Sequence, residues 1–402
     1  MNNNTNAIEI EQLSTTYFTE EGEVNAVDGV SFTVPRGQVF GIVGESGSGK
    51  SVTARSIMDL IQPPGKITDG SIRLQTELKE AITAKYPNAI SGGTVDLRKI
   101  PKNIRQWVNG REISMIFQDP NRSFNKSFTV GHQIAEAVET NARADLPKLS
   151  NKPLSNTIDS YRMLDFIIDS MPSKSYVSKE SMERAIELLR KVGISDPELR
   201  AEQYPHEFSG GMLQRAMIAQ AIAGEPKVLI ADEPTSALDV TIQTQILDLL
   251  DEMQRDLNMS VILISHNLGV VARMCDKVGV MYAGEIVEKG DLTDIFENPV
   301  HPYTNGLINA IPSLEQTSER LNVIDGNVPN LINMGSECRF IDRCPKAMDK
   351  CSTEPPTYSV DEEHKVNCYL ADETKTSIKE SEVTNMVEIN KKKDGIKSDG
   401  GK

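Results

Sequence analysis

A glycine-rich octapeptide early in the chain constrains the fold more than any other feature. Residues Gly44 to Ser51 read GESGSGKS, follow the apolar run Val39 to Val43 and precede a helical pattern. Glycines let backbone N–H groups wrap around an anion, and the start of the following helix adds a favourable positive potential. The octapeptide therefore predicts a phosphate-binding loop, or P-loop, that joins a buried strand to a helix in an α/β fold.

Two side chains of this loop have expected roles of their own. Lys50 should reach the β- and γ-phosphates of a nucleoside triphosphate, and the Ser51 hydroxyl should ligate Mg²⁺. The alternative is a glycine-rich turn without a ligand, and the flanking strand and helix argue against it. The residues expected around the phosphates are Gly44, Ser46, Gly47, Ser48, Gly49, Lys50 and Ser51.

A second apolar segment ends in two carboxylates. Val228 to Ala231 are followed directly by Asp232 and Glu233. Asp232 is expected to hold Mg²⁺, usually through water, and Glu233 to polarise the attacking water as general base. Taken alone, the segment fits a strand end with two solvated acids equally well. Together with the P-loop it favours a site that hydrolyses the nucleotide.

The segment Phe208 to Met212 reads FSGGM and stands about twenty residues before the carboxylate strand. Ser209 and the N–H groups of Gly210 and Gly211 form a second anion-binding helix start. Here the sequence resembles the ABC ATPase family, whose signature motif occupies this place. The resemblance implies a head-to-tail dimer, with ATP held between the P-loop of one subunit and the signature of the other.

The signature of the family usually ends in Gln, whereas this chain has Met212. The peptide-importer branch also carries Met at that position. The departure therefore leaves the expected ATPase activity in place.

Four further positions resemble motifs of the same family. Gln118 resembles the Q-loop glutamine that approaches Mg²⁺, and His266 the switch histidine that contacts the γ-phosphate. Asp239 ends a segment, Ser236 to Asp239, that resembles the D-loop at the dimer seam. Tyr17 is placed like the aromatic residue that stacks on adenine, although either it or the adjacent Phe18 could belong to the core.

The C-terminal third contains His301-Pro302-Tyr303-Thr304 and then four cysteines. This order resembles the C-terminal extension of dipeptide, oligopeptide and nickel importer ATPases. With the cassette motifs, the resemblance extends from about residue 7 to 370. Two stretches, Gln75 to Gln106 and Thr140 to Tyr176, are longer than the family norm, and the sequence gives them no role.

The cysteines are separated by five, six and sixteen intervening residues; they are Cys338, Cys344, Cys351 and Cys368. In a reducing compartment such a cluster favours metal binding over disulfides. Paired Cys-x-x-Cys knuckles are absent, and the broader spacing suits a larger inorganic core held by four thiolates. A [4Fe-4S] cluster is the favoured prediction, with zinc and four unligated thiols as alternatives.

These motifs predict the following architecture. The fold class is α/β, a P-loop NTPase (RecA-like) core with an antiparallel β subdomain, a helical insert subdomain and a small Cys-rich C-terminal domain. Residues 1–290 are expected to form the ABC nucleotide-binding domain, with the helical insert at about 119–208. Residues 291–371 form the C-terminal extension with the four cysteines. Residues 372–402 are polar and lack aromatic side chains, which predicts a disordered tail.

Charge and hydropathy limit the partners. A net charge of -15 works against binding nucleic acid over a broad surface. No run reaches the roughly 18 apolar residues of a membrane span, and the N-terminus lacks the features of a secretory signal. We therefore expect a peripheral protein on the cytoplasmic face of the cell membrane.

The resemblance implies three kinds of partner. They are two transmembrane permease subunits, a second and paralogous ATPase subunit (a homodimer stays open) and, indirectly, an extracytoplasmic peptide-binding protein. The implied function is to hydrolyse ATP for an importer of dipeptides or oligopeptides, with nickel as an alternative cargo.

Two other functions are less well supported by the sequence. A soluble ABC ATPase of translation or DNA repair typically carries two cassettes or a long coiled-coil insertion, and neither is seen. A GTPase would need an Asn-Lys-x-Asp guanine reader, which the chain lacks.

Overall fold

The computed structural model describes residues 6–76, 82, 86–142, 177–236, 238–310 and 324–372. The strands in these ranges are β1 (Asn6–Thr19), β2 (Gly22–Pro35), β3 (Val39–Val43), β4 (Gly65–Leu74), β5 (Ile90–Ser91), β6 (Thr94–Asp96), β7 (Ile113–Ile116), β8 (Val228–Asp232), β9 (Ser260–Ser265), β10 (Lys277–Tyr282), β11 (Glu285–Asp291), β12 (Tyr358–Ser359) and β13 (Lys365–Val366). The helices are α1 (Lys50–Ile57), α2 (Lys102–Val108), α3 (Pro120–Ser123), α4 (Val130–Ala142), α5 (Lys179–Lys191), α6 (Pro197–Ala201), α7 (Gly210–Ala221), α8 (Val240–Asp256), α9 (Leu268–Met274), α10 (Leu292–Glu297) and α11 (Pro302–Asn309). The predicted tail beyond residue 372 and most of the long stretch 140–176 lie outside the described residues.

The chain divides into two compact units. The first contains the described residues of Met1–Arg98, Ile230–Glu233 and Ser260–Lys402. The second contains those of Lys99–Leu229 and Pro234–Met259. The P-loop, the carboxylate pair and the C-terminal cysteines thus belong to the first unit, and the signature segment to the second.

The core of the first unit is a sheet whose central strands are parallel. Its strand order is β12-β13-β11-β10-β3-β9-β8, where residues 230–232 of β8 belong to this unit. β3 pairs in parallel with β9 on one side and β10 on the other. Every residue of β3, β8 and β9 is buried, which explains their continuous apolar runs. The runs at β3 and β9 thus form neighbouring parallel strands.

A second, antiparallel sheet in the same unit has the order β2-β1-β4-β6-β5. β1 and β2 form a long hairpin that turns between Thr19 and Gly22. β1 also pairs antiparallel with β4. Apolar and polar residues alternate in parts of the first 35 residues, for example at Ile8-Glu9-Ile10, and these residues form antiparallel strands, as the expected antiparallel β subdomain requires.

The C-terminal segment joins the parallel sheet through a hairpin and one added strand. β10 and β11 turn at Ala283 and Gly284, and β11 pairs with β13. At this pairing Glu288 and His364, each about 1% exposed, lie 2.8 Å apart between Oε1 and Nε2. The same carboxylate accepts hydrogen bonds from the N–H groups of Val300 and His301. This buried carboxylate thereby fixes the start of α11 against the sheet.

The second unit is mainly helical in its described part. α5 begins at the cap residue Ser178, whose N–H donates to the Glu139 carboxylate of α4 at 3.1 Å. α5 buries Ala185, Leu188 and Leu189 on one face, as its helical spacing predicts. Among the described residues, no helix combines the length and apolar character that a bilayer crossing requires.

Candidate functional site

Lys50 lies across the P-loop at the start of α1. Its Nζ donates hydrogen bonds to the carbonyl oxygens of Gly44 and Glu45, both at 2.8 Å, and lies 3.4 Å from the Ser48 hydroxyl. The side chain is buried, which lowers the pKa of Lys50, while nearby carboxylates raise it. The loop thus holds a positive charge at its centre, where it can meet a phosphate group.

Ser51 and Asp232 lie together at the edge of this loop. The Ser51 hydroxyl donates to Asp232 Oδ1 at 2.9 Å. Burial raises the pKa of Asp232, and the hydrogen bond from Ser51 opposes that shift. A hydroxyl and a buried carboxylate are hard oxygen donors of the kind Mg²⁺ prefers. The pair therefore fits the metal expected from the sequence.

Glu233 and His266, the expected general base and switch histidine, are in direct contact. Glu233 Oε1 lies 2.9 Å from His266 Nδ1. Glu233 has a φ of 47°, although it is not a glycine, and its N–H donates to the Ile264 carbonyl at 2.9 Å. Non-glycine residues in this region are strained and cluster at functional sites. The left-handed backbone of Glu233 therefore coincides with its contact to His266, and the sequence gives no signal of this backbone conformation.

Strand direction explains why these groups converge. Gly44 follows β3, Glu233 follows β8, and His266 follows β9. The carboxyl ends of neighbouring parallel strands meet at one edge of a sheet, where ligands bind in α/β folds. The structure therefore brings the P-loop, the carboxylate pair and the histidine to one edge.

The signature residues lie in the second unit. Ser209 caps α7, with its hydroxyl accepting from the Met212 N–H at 3.3 Å. Asp239 caps α8 by accepting from the N–H groups of Thr241 and Ile242. A Cβ atom on Gly211 would lie 2.9 Å from the Ile242 side chain, so the two helix starts pack closely. Ser209 and Asp239 are both exposed.

Gln118 also lies in the second unit, two residues after β7. Its side chain is exposed, and its carbonyl oxygen accepts a hydrogen bond from the Ser236 hydroxyl at 3.1 Å. This bond joins the expected Q-loop to the expected D-loop within one unit.

Tyr17 and Phe18 differ in their surroundings. The Tyr17 ring lies over Gly65, because a Cβ atom there would be 2.7 Å from Tyr17 Cε1. Phe18 is 41% exposed, and Lys66 Nζ lies 5.6 Å from its ring centroid. Tyr17 is thus partly used for packing on its own sheet, while Phe18 is open to solvent.

The four C-terminal cysteines line one pocket, although they are far apart in sequence. The residues around it are His301, Pro302, Cys338, Phe340, Cys344, Lys346, Met348, Cys351, Pro355, Cys368, Tyr369 and Leu370. Burial, with some repulsion from neighbouring thiols, raises the pKa of Cys338 to about 11 and that of Cys368 to about 12. These thiols keep their protons at neutral pH unless a cation displaces them. In the described ranges, no three His, Cys, Asp or Glu side chains are grouped to hold a single metal ion.

Two contacts with the P-loop could not be predicted from the sequence. The Arg343 guanidinium binds both carboxylate oxygens of Glu45, at 3.0 and 3.1 Å. The Tyr303 hydroxyl accepts a hydrogen bond from the Glu45 N–H at 2.9 Å. The sequence shows the His-Pro-Tyr triplet as a motif but gives it no role. Nothing in the sequence singles out Arg343.

A P-loop at the edge of a parallel sheet, with a magnesium donor pair and a carboxylate beside a histidine, defines a nucleoside triphosphatase of the P-loop class. The family profile described as ABC transporter matches residues 27–236. A second profile, described as oligopeptide/dipeptide transporter, C-terminal region, matches residues 287–351. The chain belongs to the ABC transporter ATP-binding protein family.

Relatives match across both regions. The chain is 40% identical over 368 residues to the oligopeptide transport ATP-binding protein AppD of Bacillus subtilis, covering 91% of this chain and 97% of that protein. It is 41% identical to the dipeptide transport ATP-binding protein DppD of the same organism, covering 91% and 95%. The dipeptide transport ATP-binding protein DppD of Escherichia coli is 40% identical, covering 88% and 93%.

Solved structures agree on the fold. The dimeric structure of MJ0796, a bacterial ABC transporter cassette, aligns with a TM-score of 0.53 at 21% identity, covering 71% of this chain and 98% of that one. The dimeric post-hydrolysis state of MJ0796 bound to ADP and Pi aligns with a TM-score of 0.52 at 20% identity, with the same coverage. The ABC ATPase fold expected from the sequence is confirmed.

Proposed function

We propose that this chain binds and hydrolyses ATP to energise an ABC importer of dipeptides or oligopeptides. The observation that carries the proposal is the contact between Glu233 and His266, 2.9 Å apart, beside the P-loop of a family member. The peptide cargo follows from relatives named for oligopeptide and dipeptide transport, which match the C-terminal region as well as the cassette.

The nucleotide phosphates bind to Lys50 and to the backbone N–H groups of the loop from Gly44 to Gly49. Ser51 and Asp232 hold the Mg²⁺ that neutralises phosphate charge, with Gln118 approaching it. Tyr17 stacks on the adenine, and the exposed ring of Phe18 is the alternative. These roles are supported by the hydrogen bonds that already order Lys50, Ser51 and Asp232.

Glu233 acts on the water that attacks the γ-phosphate. Its carboxylate accepts the proton of that water, while the hydrogen bond to His266 holds the carboxylate in place. The histidine contacts the γ-phosphate and thereby links the presence of that phosphate to the orientation of the base. The strained backbone of Glu233 supports a positioned rather than a freely rotating carboxylate.

A second ATPase subunit completes each site. Ser209, Gly210 and Gly211 contact the nucleotide held by the partner subunit, and Asp239 lies at the seam. The exposure of the signature turn and the dimeric state of the related cassette MJ0796 support this arrangement. We propose a paralogous partner, with a homodimer as the alternative.

The ATPase pair binds two transmembrane permease subunits at the cytoplasmic face of the membrane, where this chain is peripheral. An extracytoplasmic peptide-binding protein takes part indirectly, and nucleic acid does not. Residues 1–290 serve as the nucleotide-binding domain with a helical insert at about 119–208, and residues 291–371 as its extension.

The four cysteines hold a metal group, for which we propose a [4Fe-4S] cluster with zinc as the alternative. Four thiols lining one pocket support such a group. A cluster spreads its thiolates over several iron atoms, whereas zinc needs all four sulfurs about 2.3 Å from one ion. The broad spacing of the four cysteines along the chain is the reason for placing the cluster before zinc. Iron and sulfide analysis of anaerobically purified protein tests this, and zinc without iron would refute it.

ATPase measurements on the reconstituted complex test the proposed function. The chain with its permease subunits should hydrolyse ATP faster than the chain alone, and peptide-loaded binding protein should stimulate it further. Stimulation by nickel-loaded binding protein in place of peptide would support the nickel importer instead. An equal rate with and without the permease would favour a soluble ABC ATPase.

A further inference from the structure

We propose that the C-terminal segment positions the P-loop for nucleotide binding, through Arg343 and Tyr303, which meet at Glu45. The inference rests on the proposed role of the P-loop in binding ATP. Glu45 is the second residue of that loop, and its carbonyl oxygen accepts a hydrogen bond from Lys50. A group that holds Glu45 therefore acts on the phosphate site itself.

Arg343 makes a two-pronged ion pair with Glu45, with N–O distances of 3.0 and 3.1 Å. The Arg343 side chain is only 5% exposed, and that of Glu45 is 29% exposed. Partial burial weakens solvent screening, so this pair is stronger than an ordinary surface ion pair. The planar guanidinium also fixes the orientation of the carboxylate, which a lysine would not.

Tyr303 holds the backbone of the same residue. Its hydroxyl accepts the Glu45 N–H at 2.9 Å, and its ring is fully buried. The ring packs against Tyr282 and Phe340, with centroids 4.6 and 5.4 Å away. This fixed acceptor orients the peptide group between Gly44 and Glu45.

Arg343 is itself held in place from several sides. It donates to the carbonyl oxygens of Ile324 and Asp325, at 3.2 and 2.9 Å. Its guanidinium also lies 5.6 Å from the centroid of the Tyr282 ring. These contacts fix the position of the guanidinium, so Arg343 determines where the Glu45 carboxylate lies.

A second arginine of the same segment supports the other end of the loop. Arg339 binds the Ala283 carbonyl oxygen and the carboxylates of Asp28 and Glu285. The next residue of that turn, Gly284, donates its N–H to the Ser48 carbonyl oxygen at 2.9 Å. The P-loop is thus held at Ser48 as well as at Glu45.

Chain neighbours of Arg339, Arg343 and Tyr303 line the four-cysteine pocket. Arg339 follows Cys338 and Arg343 precedes Cys344 in the chain. His301 lines the pocket, and its Nδ1 accepts the Tyr303 N–H at 3.1 Å. The residues that line the pocket and the residues that hold the P-loop are therefore neighbours in the chain.

Charge gives the contact a direct effect on the ligand. The carboxylate of Glu45 is close enough to Lys50 to act on the pKa of that ammonium. Without Arg343, an uncompensated negative charge would stand beside the phosphates and repel them. Arg343 therefore favours ATP binding by pairing with Glu45 as well as by holding it.

Equilibrium binding of a fluorescent ATP analogue with Mg²⁺ to the purified full-length chain tests the proposal. We expect R343M to weaken affinity by about tenfold, R343K to weaken it less, and Y303F to weaken it measurably. The double variant R343M/E45Q should recover part of the affinity, because the unpaired charge is gone although Glu45 is still not held. R190M, at an exposed arginine of the second unit, is the matched control and should bind as the parent does.

Two results would overturn the inference. One is an R343M protein that binds the ATP analogue as tightly as the parent does. If R343M does not fold, parental affinity for the analogue in both R343K and Y303F has the same meaning. The other is a loss of affinity in R190M as large as that in R343M, since the effect would then not be specific to the contact with Glu45. The variant K50M distinguishes failure of this inference from failure of the proposed P-loop role. If K50M and R343M both bind ATP as the parent does, the P-loop role itself fails. If K50M loses ATP binding while R343M keeps it, only the role of Arg343 is refuted.

Discussion

Two glycines of the P-loop allow fold and ligand binding to be tested apart. Gly47 has a φ of 81°, and a Cβ atom added there would meet nothing within 4 Å. Gly49 has a φ of 104°, and its Cβ atom would lie 2.4 Å from the Ala26 carbonyl oxygen. Alanine at either position is strained, but only at Gly49 does it also collide with the backbone.

These contacts set the expected magnitudes. Strain at a positive φ costs about 1–3 kcal/mol for each variant. The collision with Ala26 adds about 1–3 kcal/mol in G49A, because a backbone carbonyl cannot move aside as a flexible side chain can. G49A should therefore unfold at a temperature several degrees below G47A, at about 2–4 °C per kcal/mol. G47A should stay folded but lose ATP affinity by about tenfold or more, since its methyl group fills the space assigned to a phosphate.

Thermal unfolding without nucleotide and equilibrium binding of an ATP analogue measure the two effects. A G47A protein that is folded and binds ATP as tightly as the parent would refute the assignment of phosphate to this space. A G49A protein no less stable than G47A would refute the argument from the Ala26 contact.

Three further variants test single residues of the site. E233Q should bind ATP, yet its rate of ATP hydrolysis should fall by about 100-fold or more. It should also trap a closed dimer, which size-exclusion chromatography with ATP detects. Hydrolysis at the parental rate would remove Glu233 from the mechanism. S209A removes a helix cap and should lower the free energy of unfolding by about 1 kcal/mol. The rate of ATP hydrolysis in the assembled complex should fall by more than this loss of stability explains. An unchanged rate of hydrolysis would count against a contact between Ser209 and the nucleotide of the partner subunit. Burial raises the pKa of Asp232, so the charged carboxylate lowers the stability of the fold as pH rises through that pKa. D232N carries no such charge and should be at least as stable as the parent at neutral pH, as thermal unfolding will measure. The same variant should lose Mg²⁺-dependent ATP binding. Retained Mg²⁺ dependence in D232N would show that another group holds the metal.

The strands that carry the proposed site can be predicted from the sequence because each depends on a local pattern. The apolar runs at β3, β8 and β9 indicate buried strands, and such runs are typical of parallel sheets covered on both faces. Once these strands are parallel, the residues after them must share one edge of the sheet. The convergence of Gly44, Glu233 and His266 therefore follows from the hydrophobic pattern of the strands and from their direction alone.

Contacts that depend on distant packing could not be predicted in this way. Arg343 and Glu45 are 298 residues apart in the chain, and their pairing needs the whole sheet to be formed. β13 has only two residues, which is too short for an alternating pattern, yet it joins the C-terminal segment to β11. The positive φ of Glu233 is likewise imposed by its surroundings, because glutamate has no preference for it.

The need for these distant contacts follows from the chemistry of the P-loop. Glycines that permit the loop to wrap an anion also give it many other conformations, and ordering each residue costs roughly 1–2 kcal/mol. The bonds at Glu45 and Ser48 bracket Gly47 and fix the loop from both sides. Much of the ordering cost is then met during folding, so that it does not reduce the affinity for ATP. We therefore expect a segment nearly three hundred residues away to influence the strength of nucleotide binding through its contact with Glu45.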